Sequence, residues 1–246
     1  MRMARLFSFL LALLVIIPAA KSQRLALDLS NDEVAISTGF TGTELLLFGA
    51  TEGHGDIVVT VVGPRSDEVV WRKERVAGIW VSGDSVTFKS APAYYLIAAS
   101  RPLQEIASSE ILDQMQIGVA EIELSTRSQR PDAEVAAYRE ALIRNKKRRR
   151  LYSQDISNIK IVRDLLFRST IPFPASVPTG EYQITVYLFK DGEPVSQQTT
   201  SLPVRKVGLG AQLYKFAHQQ APLYGAIAIA IALLAGWLAG VIFRRA

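Results

Sequence analysis

The sequence predicts a mainly β fold, an immunoglobulin-like β-sandwich with a helical insert, followed by one C-terminal transmembrane helix. Three observations predict it. Short runs of alternating or β-branched residues, separated by small polar loops, recur from Leu25 to Ala98 and return after Ile156. Between them, over residues 103–152, the apolar spacing lengthens to that of helices. Finally, no residue from Pro222 to Phe243 is charged. At about 1.5 Å per residue such a helix spans roughly 30 Å, the thickness of a bilayer's hydrocarbon core.

The chain begins Met1-Arg2-Met3-Ala4-Arg5, continues through the apolar run Leu6–Ile17, and reaches Pro18, Ala20 and Ser22. A basic start, an apolar centre and small residues at the exit form a secretory signal peptide, here residues 1–22 with cleavage before Gln23. The alternative is an uncleaved anchor, which the shortness of the run and the helix-breaking proline disfavour. On either reading residues 23–205 are exported. Arg244 and Arg245, in the tail 244–246, then lie on the inner side, in line with the positive-inside tendency. Arg205, Lys206 and Lys215 on the other flank leave the count uneven, so the leader decides the orientation.

Within the exported region Leu25, Leu27 and Leu29 alternate with polar neighbours, and Val34 and Ile36 repeat the period. After Gly39–Gly42, the run Glu44–Phe48 has the length of a buried strand, and Glu52-Gly53-His54-Gly55-Asp56 is a turn cluster. Ile57–Val62 is rich in β-branched residues and stops at Gly63-Pro64. Short strands are then expected at Val69–Trp71, Gly78–Val81, Val86–Phe88 and Tyr94–Ala98. Leu103–Gln116 reads as one helix or two short ones. A second helix opens at Pro131-Asp132, with Val135, Tyr138, Ala141 and Leu142 as its apolar stripe. Tyr182, Ile184, Val186 and Leu188 mark a long strand, Asp191-Gly192 a hairpin turn, and residues 195–204 the return strand. Whether residues 156–204 complete the first sandwich or begin a second is left open by the pattern. One domain is preferred, because two strong strands alone cannot cover a core. Leu209, Leu213 and Phe216 give the juxtamembrane segment 206–221 an amphipathic character ahead of the span at 222–243.

Composition narrows the chemistry. The 246 residues hold 28 Lys and Arg against 23 Asp and Glu, two histidines and no cysteine. Disulfides and thiol catalysis are excluded, so an exported domain of about 180 residues must stand on its core alone. Nucleic acid is not an expected partner outside the cytoplasm, and no cofactor is implied. Gly-x-Ser-x-Gly, His-Glu-x-x-His, the Walker phosphate loop and a Gly-x-Gly-x-x-Gly after a strand are all absent.

Four stretches make the chain resemble a family of alphaproteobacterial transmembrane proteins: TGFTGTELLLFGA (38–50), ERVAGIWV (74–81), IPFPASVPTGEYQITVYLFKDG (171–192) and the tail LYGAIAIAIALLAGWLAGVIFRR. The likeness extends over the whole mature chain. It implies a single-pass protein of the bacterial inner membrane, with its N-terminal domain in the periplasm and its C-terminus cytoplasmic. It also implies a role beside permeases of the sulfite-exporter type, next to which such proteins are encoded. It carries no catalytic residues.

Five places hold candidate function. In the span, Ala228, Ala232, Gly236 and Gly240 recur every fourth residue, a small-residue face on which a second helix can pack, set against the plainer reading of a lipid-facing anchor. Lys146, Lys147, Arg148, Arg149 and Arg150 offer contact to an anionic surface; the default reading is a solvated helix end with its cations well placed at the C-terminus. His54 between Glu52 and Asp56 carries the idea of a metal site or general base, weakened by the flanking glycines and the lack of further ligands. Arg72-Lys73-Glu74-Arg75 with Trp71 and Trp80 is a possible recognition surface, although strand alternation assigns the tryptophans to the core. His218 reads as an interfacial polar residue. The expected function is therefore a non-enzymatic accessory or interaction protein of the membrane, partnered by a permease or by itself through the span. The alternatives are a metal-dependent hydrolase using Glu52, His54 and Asp56, and a self-associating structural protein.

Overall fold

The computed structural model describes residues 25–208 except Gln129 and Asp164, together with Tyr214 and residues 216–243. The expected leader 1–22, its cleavage before Gln23, Leu209, Leu213, Arg244 and Arg245 lie outside the described residues. The first part of the chain runs β1 (Leu25–Leu29), β2 (Val34–Ile36), β3 (Gly42–Thr51), β4 (Asp56–Val62), β5 (Arg65–Val76), β6 (Ile79–Pro92) and β7 (Tyr95–Ala99). The insert holds α1 (Leu103–Ile106), α2 (Ser109–Gln114), β8 (Ser125–Thr126) and α3 (Asp132–Arg148). Strands then return as β9 (Ser157–Asn158), β10 (Lys160–Val162), β11 (Leu166–Pro174), β12 (Gly180–Lys190) and β13 (Glu193–Lys206), before α4 (Ala221–Phe243). The protein is mainly β, with one C-terminal apolar helix.

Alternation builds two sheets around one core. The first has the order β1-β3-β11-β10 and the second β2-β13-β12-β4-β7-β9. Leu45 and Leu47 of β3 and Phe167, Ile171 and Phe173 of β11 are buried, while Leu46, Phe48 and Leu166 on the opposite face are exposed. From the second sheet, Tyr182, Ile184, Val186 and Leu188 are fully buried, as their spacing predicts. An aromatic trio joins the sheets: Tyr94, Phe173 and Tyr182 have ring centroids 5.6–5.7 Å apart, and the Tyr94 hydroxyl donates to the Pro172 carbonyl at 2.6 Å. The second sheet is covered on its other side by the insert, where the Tyr95 hydroxyl donates to the Gln116 carbonyl at 2.7 Å and accepts from the Gly118 amide at 3.1 Å. β11 pairs with β3 and β12 with β4, so both halves of the chain contribute to the same sheets.

One departure from the expected strands matters for function. β4 and β7 are the root of a single long ribbon. Val62 lies opposite Tyr95, the Gly63 amide bonds the Tyr94 carbonyl and the Ala93 amide the Pro64 carbonyl, each at 2.8 Å, and Arg65 lies opposite Pro92. The short strands expected at 69–71, 78–81 and 86–88 are parts of β5 and β6, which have 12 and 14 residues. Their polar interruptions break the side-chain pattern and not the backbone ladder, because two paired strands satisfy each other's amides whatever their side chains are. Val76 pairs with Ile79 across Ala77 and Gly78, both at positive φ (50° and 86°), the two-residue turn that suits the twist of a ribbon.

Candidate functional site

Past Val70 the ribbon leaves the sheets as an arm, and its large side chains are bare. Trp71 is 54% exposed, Trp80 65% and Ile79 69%. This corrects the expectation of core tryptophans: alternation buries every second residue only where a layer covers that face. Cross-strand register places Arg75 opposite Trp80 and Lys73 opposite Ser82 on one face, and Glu74 opposite Val81 on the other.

α3 and Arg130 just ahead of it brace the ribbon at three points. The Lys146 ammonium bonds Glu68 at 2.6 Å, the Arg72 guanidinium sits 5.2 Å from the centre of the Tyr138 ring, and Arg130 pairs with Asp84 at 3.1 Å. The basic run is thereby divided. Lys146, expected on an anionic-contact surface, is only 4% exposed and faces inward, one helical turn from the buried Leu142 and two from Tyr138. Lys147 borders a cleft, and Arg148, Arg149 and Arg150 remain exposed, with Arg148 reaching the Asn145 side-chain oxygen at 3.0 Å.

That cleft, of about 710 Å³, opens between the end of β7, α1 and the loop 117–121. Its charged lining balances, Arg101 and Lys147 against Glu121 and Asp155. His54 borders two smaller clefts of about 260 and 510 Å³, both shared with Asp56. Asp56 is already committed: Arg101 bridges both its carboxylate oxygens and the Ser100 hydroxyl donates at 3.0 Å. The hydrogen bond from Arg101 holds this carboxyl below the usual aspartate range, burial opposing. Among the described residues no group of three His, Asp or Glu side chains converges as a metal site, and Glu52, His54 and Asp56 do not form one. The weight of Asp56 is structural, tying β4 to the start of α1.

In the span, Ala228, Ala232, Gly236 and Gly240 are all exposed, and a Cβ added at Gly236 or Gly240 would meet nothing within 4 Å. Mean hydropathy over Ala221–Gly240 is 2.0 and none of that stretch is buried. The 23 residues of α4, Ala221–Phe243, give a helix of about 34 Å, enough to cross a bilayer. Just ahead, Phe216 packs its ring edge-on to Tyr224 at 6.1 Å, and the His218 ring lies 4.0 Å from that of Tyr214.

A family described as Putative transmembrane protein (Alph_Pro_TM) matches residues 24–245, nearly the whole chain. The chain belongs to this family. A comparison with curated proteins finds no match. The Alph_Pro_TM match covers both the β-rich region and α4, so family membership supports the membrane helix together with the domain that precedes it. Sequence reasoning names Trp71, Arg72–Arg75 and Trp80 as a candidate surface but divides them among separate short strands and favours the core for the tryptophans. The local signal for the arm is Gly78 between Val69-Val70-Trp71 and Ile79-Trp80-Val81, two runs of strand formers on either side of the turn across which β5 and β6 pair.

Proposed function

We propose that this protein is a non-enzymatic accessory protein of the bacterial inner membrane, its β-rich domain in the periplasm and its span docked on a permease of the sulfite-exporter type. The observation that carries the reading is α4, a membrane-length helix exposed throughout residues 226–240, with a face of small side chains. The permease is supported by the family resemblance alone. Within the reading, the domain is an immunoglobulin-like sandwich. The orders β1-β3-β11-β10 and β13-β12-β4 follow the two sheets of that fold, and the Tyr182 hydroxyl donates to the Pro178 carbonyl at 2.7 Å near the start of β12, as a tyrosine corner does.

The same small-residue face also favours a second reading, self-association through α4. One experiment separates them: crosslinking and pull-down of the full-length protein from native membranes, beside a Gly236→Leu, Gly240→Leu variant. A permease recovered with the wild type and lost with the variant supports the accessory role. A homo-oligomer lost in the same way supports self-association. A permease recovered equally with both moves the contact from the span to the exported domain.

A further inference from the structure

We propose that the tip of the β5–β6 arm is a membrane-contact element that seats in the headgroup layer of an anionic bilayer, the one that α4 crosses. The inference rests on α4 as a span but not on the identity of any protein partner.

The first support is where the arm leaves the domain. β4 is antiparallel to β12, and β12 is antiparallel to β13, so β4 and β13 run toward the same edge. Gly180 begins β12 there, paired with Val204, and a Cβ at Gly180 would come within 2.7 Å of Pro64. The chain departing toward the span after Lys206 and the ribbon departing at Arg65 therefore share one edge. The ribbon continues the line of β4 past it, bent at two register shifts, Ser66/Glu68 and Trp71/Lys73. At about 3.3 Å per residue, Ser66 to Val76 reaches up to roughly 30 Å beyond the edge. Tyr214 and residues 216–219 are helical, so the connection 207–220 reaches about 35 Å at most, and both the tip and the start of α4 can meet one membrane surface.

Composition is the second support. Val76, Ile79, Trp80 and Val81 are exposed together around the turn, an apolar tip with no covering layer. Lys73 and Arg75 stand on the Trp80 face just behind it. Aromatic and aliphatic groups flanked by cations are the combination that enters the interfacial layer, where the ring tolerates both phases and the cations meet lipid phosphates. The one acid in the tip, Glu74, lies on the face of Val76, Ile79 and Val81, away from Lys73 and Arg75 and set back from the turn, and Asp84 is held by Arg130. Lys146 and Tyr138 of α3, with Arg130 ahead of it, fix the ribbon against the insert up to Arg72 and Asp84 and leave the tip beyond them uncovered.

The chain lacks cysteine, so Ala77→Cys in the full-length protein gives a single labelling site at the turn. An environment-sensitive fluorophore there is read in phosphatidylcholine vesicles with and without phosphatidylglycerol. A lipid-borne headgroup quencher is compared with aqueous iodide, and flotation confirms that α4 has inserted. The expected result is a blue-shifted emission quenched several-fold by the lipid-borne probe when phosphatidylglycerol is present. It should be lost on adding Ile79→Ser and Trp80→Ser, and made independent of phosphatidylglycerol by Lys73→Glu and Arg75→Glu. These side chains are exposed, so an unchanged thermal transition verifies that each variant folds. Quenching by iodide alone in floated vesicles overturns the proposal. So does protection from both quenchers that rises with protein density, which would place a second copy or another protein on the tip. Flotation that fails for every variant overturns the span itself and is distinguishable from either.

Discussion

Lys146 shows how a single residue can contradict the run it belongs to. Five adjacent cations read as one solvated surface, yet the helical period turns the first of them inward against Glu68. The Glu68 side chain is also largely covered, so removing its partner leaves a charge without compensation. Lys146→Ala is expected to cost about 3 kcal/mol, at the lower end for such pairs because Glu68 keeps some solvent. The double variant Lys146→Met, Glu68→Leu should recover most of that loss. Chemical denaturation of the purified protein measures both, and an unaffected midpoint in Lys146→Ala would show the ammonium to be solvated after all. The neighbouring Tyr138 hydroxyl is buried with no hydrogen-bond partner among the described residues, so the brace formed by its ring under Arg72 owes nothing to that oxygen.

At the scale of elements, the arm is the least expected feature and the most sensitive to its turn. Ala77 sits at φ 50°, a conformation that an alanine side chain disfavours and asparagine tolerates. Ala77→Asn is expected to stabilise the turn by about 1 kcal/mol and to slow amide exchange in the flanking ladder from Lys73 to Ser82, without changing exchange in β12. Equal slowing in β12 would mean that the arm does not open independently of the sheets. The first sheet has a corresponding constraint at Gly49. A Cβ there would stand 2.3 Å from the Ala26 carbonyl oxygen and 2.4 Å from the Phe167 ring, so β1 and the Phe167 ring close over bare backbone.

For the whole molecule, the absence of disulfides makes the shared core the sole guarantee of the fold, and four of its buried tyrosines tie its stability to pH. Burial pushes the Tyr95 hydroxyl up to about 12 and raises those of Tyr94, Tyr152 and Tyr182 as well. Each of these groups stays neutral in the fold after the unfolded phenol, near 10, has ionised. Their contribution is therefore fully present below pH 10 and is lost as pH rises through the folded values. The thermal midpoint should fall steeply above pH 10, with tyrosinate absorbance appearing in step with unfolding. Core tyrosines that ionise while the midpoint holds would contradict their burial.

The sequence alone determined the membrane helix, the β-rich class, the helical insert and most strand positions. These rest on local pattern: an uncharged stretch long enough for a bilayer, alternation in β1, β3 and β12, and the β-branched run of β4, which is buried on both faces. Pro131-Asp132 likewise marked the start of α3, since the missing amide of proline is no loss at a helix start. The tertiary structure alone decided the rest. It joined the runs at 57–62, 69–71, 78–81, 86–88 and 94–98 into one ribbon, because cross-strand register depends on a partner that local pattern does not name. It moved Trp71 and Trp80 from core to surface, because a strand residue is buried only if another layer reaches it. It also turned Lys146 inward, because Glu68 stands 78 positions away in the chain and 2.6 Å away in space.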